Sequence, residues 1–88
     1  MNKENIIAFI KDACAVEEVP DEMVNNIKIL LSVLSEREER IIRLRYGLDD
    51  GRCRTLLEVS REFGVTREKV RQEESTAIKK LRSPAIHI

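Results

Sequence analysis

The sequence predicts an all-α fold, a small domain of about five helices that ends in a helix-turn-helix. Three observations carry this. Apolar residues recur at helical spacing in successive segments. Capping boxes and glycine stops punctuate those segments. Only three residues are aromatic (Phe9, Tyr46, Phe63) and only three are glycine, too few for a β-sandwich or barrel. Eighty-eight residues allow one helical core but no cleft between domains.

Residues 3–15 place Ile6, Ile7, Ile10 and Ala13/Cys14 on one helical face. The stretch "VEEVPDE" breaks that pattern, and Pro20 suits the first position of a new helix. In "DEMVNNIKILLSVL", Val24, Ile27, Leu30, Leu31 and Leu34 form a wide apolar stripe. Ser35 with Glu38 is a capping box that opens a third helix at Glu36, and Gly47 stops it. Residues 48–54, "LDDGRCR", are polar and turn-like. Thr55 with Glu58 is a second box, opening a helix that Gly64 ends; Thr66 caps the last helix, which Ser83-Pro84 stops.

A short helix, a glycine turn and a longer helix make the helix-turn-helix pattern. Val59, Phe63, Val65 and Val70 supply its apolar contacts, and Ser60 permits close approach. Purely structural helical hairpins share this outline, so the last helix has to be weighed by its side chains. Thr66 and the free N–H groups of the first turn favour anions. Arg67, Lys69, Arg71 and Gln72 follow; arginine can grip guanine, and glutamine adenine, through paired hydrogen bonds. The bland alternative is a solvated charged face with ordinary i,i+4 pairs.

Net charge is zero, with 16 basic and 16 acidic residues. The charges are unevenly spread: residues 1–34 carry 3 Lys/Arg against 6 Asp/Glu, and residues 35–88 carry 13 against 10. The basic end coincides with the helix-turn-helix, a hint of nucleic acid. Enzymatic function is not expected. The sole histidine is His87, Cys14 and Cys53 are not a short-spaced pair, and no glycine-rich phosphate loop occurs. Glu73 and Glu74 are adjacent in a helix and point about 100° apart, so they do not converge on one atom. No cofactor or metal is expected. No apolar run nears the roughly 18 residues of a membrane span, and no signal peptide opens the chain; a cytoplasmic protein is expected.

The run "LSEREERIIRLRYGLDDGRCRTLLEVSREFGVTREKVRQEESTAIKKLRSP", Leu34 to Pro84, resembles region 4, the C-terminal domain of bacterial sigma factors of the primary type. LuxR-type regulators share an "LSERE"-like start but lack "RYGLDDG" and "VTREKVRQ". The resemblance implies that the domain reads the promoter −35 element in the major groove while docked on the flap of the RNA polymerase β subunit. Arg67, Glu68, Arg71 and Gln72 match base-proximal positions, with Lys69 standing where the family often has arginine. Glu68 could accept from a cytosine amino group or simply serve the helix dipole.

Arg37 and Arg45, with the helix start at Thr55–Leu56, match positions that touch the phosphate backbone. For the flap, the family pattern draws on Ile27, Leu30, Leu31, Leu34, Ile41, Ile42 and Leu44, of which a minority should be exposed. Ile41, Ile42 and Leu44 are the expected partner contacts there. Lys79 and Arg82 match a surface met by activators, although Thr76 replaces a common basic residue nearby. An anti-sigma factor is a further expected partner.

Glu73 departs from the family, which fills that slot with an apolar residue. The change forfeits roughly 1.5–3 kcal/mol of side-chain burial unless the carboxylate reaches water or a cation, with Arg61 or Lys69 as the expected partner. Residues 1–20 match nothing in the family and are read as a helix of unassigned role, with the sigma-like domain at 21–88. Met1 and that helix favour a free-standing regulator, the helix serving as a docking or dimerising element, over a fragment of a longer sigma factor. The rival function is a protein-binding regulator that keeps the fold without reading DNA.

Overall fold

A computed structural model describes residues 1–82, which form six helices and no strand. The expected stop at Ser83-Pro84, and His87, lie outside the described residues. Helix α1 (Lys3–Cys14) starts at Asn2, whose side chain accepts from the Asn5 N–H, and ends at Ala15 in the left-handed conformation. Its buried face is Ile6, Phe9, Ile10 and Ala13. Phe9 completes a stripe that the isoleucines alone suggested.

The expected second helix is two short ones, α2 (Asp21–Asn25) and α3 (Ile27–Leu31). Pro20 caps α2 rather than occupying its first turn. The division falls at Asn26, whose backbone leaves helical geometry (φ −101°, ψ 23°) while its N–H is shared between the Glu22 and Val24 carbonyls. Asn25 and Asn26 are poor helix formers because their side chains compete for backbone partners. The apolar stripe survives the break: Val24, Ile27, Leu31 and Leu34 are all buried.

Helix α4 (Glu36–Tyr46) carries the complete Ser35–Glu38 capping box, and α5 (Leu56–Phe63) the complete Thr55–Glu58 box. Gly47 closes α4 at φ +63°, and a Cβ there would stand 2.7 Å from the Arg52 backbone. Both the handedness and the space require glycine at that position. Gly64 closes α5 at φ +67°. Helix α6 (Arg67–Leu81) begins at Thr66, whose hydroxyl accepts from the Lys69 N–H at 3.1 Å.

The apolar side chains divide into two clusters. The larger gathers α1 (Ile6, Phe9, Ile10, Ala13), α2–α3 (Val24, Ile27, Leu31) and Leu34 with Ile42, Leu48, Ala77 and Leu81. The smaller is the helix-turn-helix core, Ile41, Val59 and Val70, against which Leu44, Leu56, Phe63 and Val65 pack. Helices α4 and α6 serve both, because neighbouring residues such as Ile41 and Ile42 point about 100° apart. The apolar face of α1 is therefore spent inside the fold and is not presented to a partner.

Burial predicts the response to truncation. Phe9→Ala should destabilise by about 3–5 kcal/mol, whereas Ile29→Ala, at a residue 69% exposed, should stay within about 0.5 kcal/mol. Urea unfolding followed by circular dichroism separates the two.

Candidate nucleic-acid interface

The turn at Gly64 sets the start of α6 free of the helix-turn-helix core. Arg67, Glu68, Lys69, Arg71 and Gln72 are all exposed, while Val70 between them is fully buried and holds the helix down. Thr66 is exposed as well and occupies the cap. Arg71 binds Glu68 through two N–H groups, at 3.0 and 2.5 Å. The Arg71 hydrogen bond holds the Glu68 carboxyl below the usual glutamate range. Among the described residues Arg67 enters no ion pair.

Arg37 and Arg45, expected beside DNA phosphates, both reach from α4 to α6. Arg37 Nε lies 2.8 Å from a Glu73 oxygen, and its guanidinium sits over the Phe63 ring, 5.4 Å from the centroid. Arg40 flanks the same ring at 5.5 Å. Arg45 Nε donates to Glu74 at 3.1 Å and its Nη1 to the Arg54 carbonyl at 2.7 Å. Lys69 Nζ approaches the second Glu73 oxygen at 3.7 Å.

The two adjacent glutamates of α6 are thus counter-ions for the cations of α4. Glu73 has Lys69 as anticipated, but its main partner is Arg37; Arg61 pairs with neither glutamate. That contact spans 36 positions and leaves no mark in the local sequence. At the start of α5, Thr55 is exposed as the cap, whereas Leu56 is half-buried and packs into the helix-turn-helix core.

The expected partner contacts need correction. Ile41 and Ile42 are fully buried and Leu44 packs against the smaller core, so none of the three offers a free apolar face. Apart from Met1 at the N-terminus, the exposed large apolar residues before the helix-turn-helix are Ile29 and Val33 among the described residues. With Glu22, Met23, Asn26, Leu30 and Ser32 they line a groove of about 500 Å³. Two residues beyond Ile27 in a helix is roughly 200° around the axis. An isoleucine placed opposite the stripe was therefore a readable sign of an exposed apolar patch.

Lys79 is exposed and, with Arg45, Arg71, Glu74 and Arg82, lines a hollow of about 370 Å³ on the other side of α6. Arg82 is partly committed there, since it donates to the Ala13 and Asp12 carbonyls at 2.7 and 2.8 Å and closes the end of α1. Cys14 is half-buried, which pushes its thiol pKa up, and Cys53 is exposed. Among the described residues no helix is long and apolar enough to cross a membrane.

A family model described as Sigma-70, region 4 matches residues 30–83. The chain is 51% identical over 74 residues to an RNA polymerase sigma factor SigA of Bacillus sp., covering 84% of this chain and 19% of that protein. It is 49% identical over 74 residues to SigA of Clostridium acetobutylicum, covering 84% and 18%. With SigA of Listeria monocytogenes the identity is 61% over 56 residues, covering 64% and 15%. The chain thus spans less than a fifth of the length of these relatives.

One further ion pair between α4 and α6 gives the stability of the fold a pH dependence. Lys80 Nζ lies 2.7 Å from Glu38, whose side chain is only 11% exposed. Burial pushes the Glu38 carboxyl up, but Lys80 and the Ser35 amide outweigh it and hold it below the ordinary 4.5. A carboxyl depressed on folding contributes stability that is full above its unfolded pKa and is lost as pH falls through the folded one. The melting temperature should therefore drop below about pH 4.5. Glu38→Gln should lower it at neutral pH and flatten that acid decline in thermal melts.

Proposed function

The chain belongs to the sigma-70 region 4 family, and from that premise we propose that it reads promoter −35 DNA with α6 while docked on the flap of the RNA polymerase β subunit. The observation that carries this is the exposed row Arg67, Glu68, Lys69, Arg71 and Gln72 at the free start of α6, seated by the buried Val70. A helix presented this way enters the major groove with its first turns against base edges. Arg67 and Arg71 suit guanine and Gln72 suits adenine. Glu68, held by Arg71, suits a cytosine amino group. Each such pairing discriminates by about 1–3 kcal/mol.

Arg37, Lys69 and Thr55 are the proposed phosphate contacts, fixing register without carrying sequence information. Arg45 is a weaker candidate, being 27% exposed and already bound on two sides. The groove at Met23, Ile29, Leu30 and Val33 suits an apolar element of the flap, in place of the buried Ile41 and Ile42. Lys79 is the residue best placed to meet an acidic activator. A second reading has the fold bind polymerase or an anti-sigma partner without reading sequence. It is favoured by one observation: Arg37, Arg45, Lys69 and Arg71 are all already paired with carboxylates.

A two-dimensional amide NMR titration with a TTGACA duplex and a scrambled duplex distinguishes the readings. Shifts should concentrate at Thr66–Gln72 with TTGACA alone, and Arg71→Ala should cost about 1–3 kcal/mol on that duplex and little on the other. Equal diffuse shifts on both, or none, would move the assignment to the second reading.

A further inference from the structure

We infer that Glu73 is an internal competitor for DNA phosphate, occupying Arg37 and Lys69 and so weakening the sequence-independent grip of this face. This rests on the DNA-reading proposal above. One carboxylate serves two cations, Arg37 at 2.8 Å and Lys69 at 3.7 Å. The trio carries a net +1 where the two basic residues alone would carry +2. A phosphate reaching for either cation meets a like charge within 4 Å of it, far inside the roughly 8–10 Å over which salt screens.

The other acids of this face differ in a way that singles out Glu73. Glu68 is 59% exposed, so its carboxylate can turn into solvent when Arg71 finds a base. Glu74 neutralises Arg45, whose guanidinium is also fixed to the Arg54 carbonyl. Glu73 is 19% exposed and lies on the turn between the buried Val70 and Ala77, so it cannot swing aside without leaving its seat. Its partner Arg37 remains 44% exposed and is steadied by the Phe63 ring. Removing the charge at position 73 therefore releases two cations already aimed and accessible.

The test compares wild type with Glu73→Gln on the TTGACA and scrambled duplexes across a salt series, with melts to check folding. Glu73→Gln should bind both duplexes about two- to fivefold more tightly, the worth of one partly exposed ion pair. The slope of log affinity against log salt should steepen by about 0.9, one further phosphate contact. The gain should be equal on the two duplexes, because phosphate contacts carry no sequence, and should fall by at least half in an Arg37→Gln background. A structural effect of breaking the Arg37–Glu73 bridge would show as a changed melting temperature in either single variant, which the melts detect. Should Glu73→Gln not fold, Glu73→Ile removes the same charge and carries the same test.

If wild type binds TTGACA through Thr66–Gln72 and the variant binds no more tightly, the competitor role is wrong while the DNA reading stands. A gain undiminished without Arg37 also overturns it. If neither protein binds either duplex at low salt, both readings fall together.

Discussion

The contact on which the rest of the molecule depends is that between α4 and α6. These are the two helices common to both apolar clusters. Ile41 and Val70 face the helix-turn-helix core, while Ile42, Ala77 and Leu81 face the larger one. Ala77 is fully buried in that larger core. Around this seam stand three cross-helix ion pairs, Arg37–Glu73, Arg45–Glu74 and Glu38–Lys80. The first two are partly exposed and add little to stability. The third has a buried carboxylate that also completes the Ser35 capping box. Losing Lys80 would leave that carboxylate with the Ser35 amide but without its counter-ion, which costs more than breaking the two partly exposed pairs.

The remaining helices are hung on this pair. The apolar hold on α5 is the smaller cluster, Ile41, Val59 and Val70, with Arg37 and Arg40 on the Phe63 ring and Arg40 paired with Glu62 at its edge. At the opposite end α1 ties together segments far apart in sequence. The Asn2 N–H donates to the Leu48 carbonyl, and Phe9 stands edge-on to Tyr46 at 4.8 Å. The Tyr46 hydroxyl donates to Asp12, and burial with that carboxylate beside it pushes the phenol pKa far up. Arg82 then closes α1 from the end of α6. The segment with no family counterpart in the sequence reading is therefore a structural brace for the helices that carry the proposed interface.

Local chemistry was legible in the sequence, and distant chemistry was not. Ser35–Glu38, Thr55–Glu58, Thr66, Gly47 and Gly64 stand where their caps and stops were read, because a cap is a contact over three or four residues. Of the expected stripe, Val24, Ile27, Leu31 and Leu34 are buried even though Asn26 divides the helix beneath them, while Leu30 is half-buried at the groove. The division itself was missed because apolar spacing is preserved across a single disrupted turn. Phe9 was passed over in favour of the isoleucines around it, and Ile41 and Ile42 were offered to a partner although helical geometry sends one to each core. The partner of Glu73 could not have been named from neighbours in sequence. It comes from α4, and the packing of α4 on α6 through both cores brings Arg37 within reach.

That packing gives the adjacent acids of α6 a common explanation. A chain of zero net charge with four of its proposed DNA-facing cations paired has little long-range attraction for a duplex, and what it loses is chiefly the phosphate term. Phosphate contacts strengthen specific and non-specific binding alike, so weakening them would lower occupancy everywhere while leaving intact the ratio that the proposed base contacts of Arg67, Arg71 and Gln72 would set. For a free DNA-binding protein this would be a handicap. For a domain carried to its site by a larger assembly it is not, because tethering raises the effective concentration without any new contact. A weak phosphate grip then also allows release once the carrier moves on. Under the proposed function, the internal ion pairs and the exposed Ile29–Val33 groove would be complementary, a docked partner supplying affinity that paired cations cannot.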